Sequence, residues 1–286
     1  MGTVAPPILY ALFVWWFSTG IVLLLVLRRR RTVAWSLAGA ALLFPISLYL
    51  LLRSSKDDSV VGAYLAFTAA ILLWGTQELA FLTGFLTGPR PLACPPAVRG
   101  LRRAAYAIGA ILYHELALIG SGAAVAAVTF GGANQVGSLT FLILWVMRLS
   151  AKLNLFLGVP VLNDEVMPDH LTFLRSYFTR STLNGLFPFA MALSILATGA
   201  LVERAFAEQA TPTTQTGSLL LAALLALAIL EHGFMMVRLP VDALWRWSTR
   251  GGVQSAPAAD NGATDIHRRD RPRELGDIER VLPTVP

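Results

Sequence analysis

A single cysteine, Cys94, in 286 residues excludes an intrachain disulfide and any cysteine pair for redox or metal chemistry. Charge is scarce as well, at 14% of residues. With 55% apolar residues and a mean hydropathy of +0.61, the chain holds more apolar surface than a soluble domain of this length could shield from water. No internal repeat or low-complexity run is present, which argues against the repeat-built transporters. The spacing of a carboxylate-bridged di-iron bundle, a Glu three residues before a His, is also missing. Three residues after Glu78, Glu115, Glu165 and Glu231 stand Phe81, Leu118, Pro168 and Phe234. No set of residues suggests nucleophilic catalysis, so no catalytic residue is assigned. The first apolar stretch has neither a basic region before it nor a small-residue cleavage site after it, and so reads as a retained span.

What is present is a series of seven apolar segments, at 8–27, 33–52, 60–83, 104–129, 137–157, 185–203 and 217–238. Each is close to the roughly 20 residues a helix needs to cross a ~30 Å hydrocarbon core. The chain is therefore expected to be all-α, a polytopic helical membrane bundle. Lys and Arg alternate between the breaks: Arg53, Lys56 and Arg204 fall on one side and the other 20 of the 23 on the opposite side. Cytoplasmic loops carry the positive excess, so the N-terminus is expected in the periplasm and the C-terminus in the cytoplasm of a bacterial inner membrane. The basic excess is then a matter of topology and anionic lipid, and nucleic-acid binding is not expected.

Ionisable residues within the spans carry the information, because a charge held there is costly unless paired or turned toward a cavity. Glu78, His114, Glu115 and Arg148 are placed at one level, ~15 Å from the basic end at 1.5 Å per residue. Glu231 and His232 lie slightly nearer that end, and Lys152 one turn from Arg148 on the same face. Two readings follow. One is an ion-pair network, Glu78 or Glu115 against Arg148, with Lys152 snorkelling to the interface. The other is a binding site for a polar, metallated or redox-active group, with His114 or His232 as ligand and the carboxylates and Arg148 around it. Which metal, if any, the sequence leaves open. His114 and Glu115 are adjacent, as are Glu231 and His232, so each pair points about 100° apart.

A membrane domain over 1–248 would include a cytoplasmic amphipathic segment at about 158–182. Pro168 suits a first helical turn, and Leu171, Leu174, Tyr177 and Phe178 recur near helical spacing with Arg175 off that face. Such a helix would lie in the headgroup layer or dock under the bundle. Asp164, Glu165, Asp169, His170 and Arg175 make its polar surface a candidate partner site. Pro45 should loosen the second span, while Gly109, Gly120 and Gly122 suit close helix contact. Residues 249–286, rich in Gly, Pro, Ala and charge, read as a disordered cytoplasmic tail.

Three stretches, YALFVWWFSTG at 10–20, YHELALI at 113–119 and NLFLGVPVLNDEVMPDHLTFLRSYF at 154–178, together resemble the PuhE family of photosynthetic complex assembly proteins of purple phototrophic bacteria. The likeness spans roughly residues 8–240. It implies a factor that assists assembly of the reaction centre and its core light-harvesting ring and influences bacteriochlorophyll supply. The pigment or a precursor would then be bound transiently, and the partners would be the lipid bilayer, photosynthetic complex subunits and pigment-synthesis proteins. A second class of reading is an integral membrane enzyme or enzyme subunit acting on a tetrapyrrole or quinone, with His114, Glu115 and His232 near the substrate. A third is a transporter using Glu78 and Arg148.

Overall fold

Helix starts are written into the chain. Ser59 accepts from the Gly62 N–H and Thr211 from the Thr214 N–H, each satisfying a backbone donor that the first turn leaves free. Pro212 occupies a position where no N–H is needed. The computed structural model describes residues 4–27, 30–162, 167–237 and 245–249. Seven of its helices are long and apolar enough to cross a membrane. They are α1 (Ala5–Val26), α2 (Arg30–Ser54), α3 (Val60–Leu82), α4 (Gly100–Thr129), α5 (Val136–Leu157), α6 (Leu186–Ala205) and α7 (Pro212–Gly233). A 3-10 helix, Asp169–Tyr177, lies between α5 and α6, and the short α8 (Arg246–Thr249) follows α7. Among the described residues there is no named strand. Asp164, Glu165 and the tail from residue 250 lie outside the described residues.

The last span starts and stops five residues earlier than the hydropathy pattern suggests, because Thr211 and Pro212 begin the helix within a polar run. Glu231 and His232 therefore sit in its final turn. The segment at 158–182 differs from the expected α-helix. Leu171, Leu174 and Tyr177 are buried at a spacing of exactly three, which is the 3-10 repeat. That face docks against Phe81 and Ala110 at the end of the bundle where the basic loops lie. Helix α2 continues through Pro45. Gly122 packs against Phe141 and Trp145, while Gly120 meets nothing within 4 Å.

Helices α3 and α7 form the centre. Ala63, Ala66, Phe67 and Ile71 of α3 meet Leu220, Leu221, Ala223 and Leu224 of α7, with Ala11 of α1 and Val136 of α5 completing the cluster. At the end away from the basic loops, short turns are stitched together. Asn134 N–H donates to the Ser55 carbonyl at 3.0 Å, Asn134 Nδ2 to the Asp57 carbonyl, and Thr213 Oγ1 to the Asp58 carbonyl. The basic end is built differently, from irregular backbone. The loop after α3 runs along α4, where Thr87 O accepts from the His114 N–H and Gly109 O from the Arg90 N–H, both at 3.0 Å. Gly88 makes this approach possible, since a Cβ there would lie 2.3 Å from Gly109 O.

Candidate functional site

Over its first half helix α1 packs against α3. Tyr10 sits edge-on to Tyr64 at 4.8 Å and bonds Thr68 Oγ1 at 2.6 Å, and Ala11 is fully buried. Its second half, Ser18, Thr19, Val22, Leu23, Val26 and Leu27, instead faces a cavity of ≈ 590 Å³. The other walls come from α3, α5 and α7, with Ala107 and Ile111 of α4, and Leu171, Leu174 and Tyr177 of the 3-10 helix border it at the basic end. Trp15, Trp74, Phe81 and Trp245 add aromatic surface. The Trp245 indole N–H donates to the Trp16 carbonyl at 3.0 Å, which fixes the ring against α1.

A polar belt crosses this apolar space. Arg148 Nη2 of α5 donates to Glu78 Oε2 of α3 at 2.9 Å. One turn on, Lys152 Nζ donates to Glu115 Oε1 of α4 at 2.6 Å. Period and geometry explain the ladder: residues i and i+4 of α5 share a face, and α3 and α4 flank that face. Lys152 is thus held in the bundle, and does not snorkel to the interface; its ammonium also lies 5.6 Å from the Phe81 ring centre. Glu231, the preceding neighbour of His232, turns into the cavity within hydrogen-bonding reach of Trp15. Of the six residues proposed from sequence to hold a cofactor, Glu78, Arg148, Glu231 and His232 line the cavity. Glu115 stands behind Lys152.

The two span histidines do different things. His114 is fully buried and its ring lies against Phe81, centroids 4.4 Å apart, with neither ring nitrogen hydrogen-bonded. It is not among the cavity-lining residues. His232 does line the cavity, but its Nδ1 pairs with the Ala228 carbonyl at 2.9 Å and its Nε2 with Ser150 Oγ at 3.0 Å. The carbonyl can only accept, so Nδ1 carries the proton and Nε2 accepts from the serine. Axial ligation of a tetrapyrrole magnesium does not fit either ring as it stands. Among the described residues no group of three His, Cys, Asp or Glu is placed to hold a metal ion. The Ser150–His232 pair, 82 residues apart in sequence, has a backbone carbonyl where a catalytic triad has a carboxylate.

Below the cavity, at the basic end, the irregular segments are locked together. Arg90 Nη1 donates to the Tyr177 hydroxyl at 2.8 Å, and that hydroxyl donates to the Leu92 carbonyl at 2.9 Å. Arg103 donates to the Tyr177 carbonyl, Thr179 Oγ1 and the Phe156 carbonyl. Burial raises the pKa of the Tyr177 hydroxyl above the ordinary 10.0, against the opposing pull of Arg90. His170 Nε2 lies 2.8 Å from the Leu82 carbonyl, so the ring staples the 3-10 helix to the end of α3. Asp169, His170 and Arg175 are exposed on its outer side.

The family model described as a protein of unknown function, DUF3623, matches residues 1–256. The chain belongs to the DUF3623 family. Over 244 residues this DUF3623 protein is 41% identical to a Rhodobacter capsulatus protein described as an uncharacterized 30.4 kDa protein in the puhA 5′ region. That match covers 84% of this chain and 88% of the relative. No solved structure matches.

Sequence reasoning missed Arg90, Arg103 and Tyr177 as the lock of the DUF3623 cap. Arginines before a span read as topology signals, and nothing local tells that these partners lie 53 to 87 residues away. It also missed Trp245, whose signal was only its place among tryptophans after the last span.

Proposed function

We propose that the protein is a membrane assembly factor for the photosynthetic reaction centre and its core light-harvesting ring, holding bacteriochlorophyll or a precursor in transit between α1, α3, α5 and α7. The observation that carries this reading is the cavity itself: aromatic and aliphatic walls, a belt of polar side chains, and a volume of ≈ 590 Å³. Sites for organic ligands fall at about 300–1,000 Å³ with this mix of many apolar and few polar groups. The puhA 5′ region named for the Rhodobacter capsulatus relative supports a role in photosynthesis, as does the resemblance to the PuhE family.

As cargo, the pigment would be held by its ring edge and substituents, since both His232 nitrogens are engaged and His114 stands outside the cavity lining. Orientation follows from charge, with the N-terminus periplasmic and the basic end cytoplasmic in the inner membrane. The exposed side of the 3-10 helix, with Asp169, His170 and Arg175, then faces the cytoplasm as the surface for a photosynthetic complex subunit or pigment-synthesis protein. Purification in mild detergent from a phototrophic host tests this. Co-purification of bacteriochlorin absorption, with photosynthetic subunits or pigment-synthesis proteins, is expected. Absence of both pigment and partners overturns it.

A further inference from the structure

The polar belt also carries information about ligand charge. The titratable side chains that face it among the described residues can be named. Glu78 comes from α3, His114 and Glu115 from α4, Arg148 and Lys152 from α5, Glu231 and His232 from α7, and Tyr177 from the 3-10 helix; α1 contributes only Trp15, Ser18 and Thr19. Both cations are already neutralised, Arg148 by Glu78 and Lys152 by Glu115. Glu231 is left over, exposed to the cavity and near both Arg148 and Glu78. With Glu231 ionised the belt carries one surplus negative charge, and with it protonated none. In neither state is there, among the described residues, a surplus cation for an incoming anion. A ligand carboxylate could reach Arg148 only by displacing Glu78, a residue 9% exposed whose Oε1 already lacks a hydrogen-bond partner.

The belt does have free capacity for neutral groups. The Arg148 side chain is 37% exposed and uses only Nη2 on Glu78, so its open edge is a donor toward the cavity. The Glu231 carboxyl is an acceptor on the facing helix. We propose that the cavity selects uncharged amphiphiles, ring systems bearing a carbonyl or hydroxyl and an apolar tail or ester, and rejects the corresponding free carboxylic acids. The carbonyl sits on Arg148 and a hydroxyl, on ligands that carry one, on Glu231. This rests on reading the cavity as a ligand site, and it narrows the cargo to an esterified pigment or a quinone rather than a free-acid intermediate.

The test uses the full chain in neutral-lipid nanodiscs at pH 8, with quenching of the cavity tryptophans as readout. One pair of probes is the methyl ester and the free acid of bacteriochlorophyllide a. The other is decylubiquinone and a ubiquinone analogue whose tail ends in carboxylate. The neutral member of each pair should bind about tenfold or more tightly than the acid, because an unpaired charge is costly at membrane depth. Binding by the first pair assigns the cavity to pigment and by the second to quinone, and the neutral preference is the same prediction for both. Glu231→Gln should narrow the discrimination within each pair by about threefold, since it removes the surplus charge. Gly75→Leu should abolish binding, because a side chain there enters the cavity with Val22 its nearest neighbour at 3.9 Å. Equal or tighter binding of the acids overturns the charge rule alone. No binding by any probe, or binding indifferent to Gly75→Leu, overturns both the rule and the cavity as a ligand site.

Discussion

Lys152 on α5 donates to Glu115 on α4 across 2.6 Å, one turn away from where Arg148 on the same helix donates to Glu78 on α3. The two rungs tie three helices together at membrane depth, and both members of the Lys152–Glu115 pair keep about a fifth of their side-chain surface exposed. Charges so placed are tolerated only as pairs.

Removing one partner should therefore cost more than removing both. Glu115→Gln leaves the Lys152 ammonium uncompensated and should lower stability by about 3 kcal/mol, the lower end of the range for breaking a buried pair. The double variant Glu115→Leu/Lys152→Met should lie within about 1 kcal/mol of the parent. Unfolding in mixed micelles, followed by tryptophan fluorescence, measures both. A double variant as unstable as the single one would mean that the pair holds the helices together and is more than a neutralised charge.

The Tyr177 lock should fail in alkali. Its pKa is raised above 10.0 in the fold, so the native state holds this proton more tightly than the unfolded chain. The contribution is complete below about pH 10 and is lost as pH rises through the folded value. Tyr177→Phe should cost about 1–2 kcal/mol at pH 7 through its two lost hydrogen bonds, and should show a flatter decline above pH 10. Parallel slopes for parent and variant would contradict this.

Gly84 is held at φ +77°, and a Cβ there would lie 2.8 Å from the His170 ring. Gly84→Ala should destabilise by about 1–2 kcal/mol from backbone conformation alone, plus the displacement of His170. Adding His170→Ala should recover the second part only. Thermal denaturation of the three variants resolves the two contributions.

Cys94 is the single cysteine and lies beside the 3-10 helix, its backbone N–H donating to Ser176 Oγ at 2.8 Å. The proposed orientation puts the basic end in the cytoplasm, so a membrane-impermeant maleimide should label Cys94 in inverted vesicles and not in intact spheroplasts. Labelling from the periplasmic side would reverse the orientation.

The seven spans were legible because each is a long apolar run broken by charge or proline, and helix ends moved mainly where a polar cap such as Thr211–Pro212 started a turn early. Depth along each span was legible too, since Glu78 and Arg148 do meet. Rotation about the helix axis was not. His114 and Glu115 share a depth, yet one turns onto Phe81 and the other onto Lys152, and only the packing of α4 decides between them. The 3-10 helix was misjudged for a related reason: Leu171, Leu174 and Tyr177 fit a period of 3.6 nearly as well as 3.0 over two turns.

Gly75→Leu decides whether the space between α1, α3, α5 and α7 holds the cargo. Parent and variant are purified side by side from a phototrophic host, and bound pigment is read from the absorption spectrum at matched thermal stability. Bacteriochlorin absorption is expected on the parent, and its loss, by about tenfold or more, on the variant, as a filled pocket excludes its ligand. Equal pigment on both proteins would contradict it.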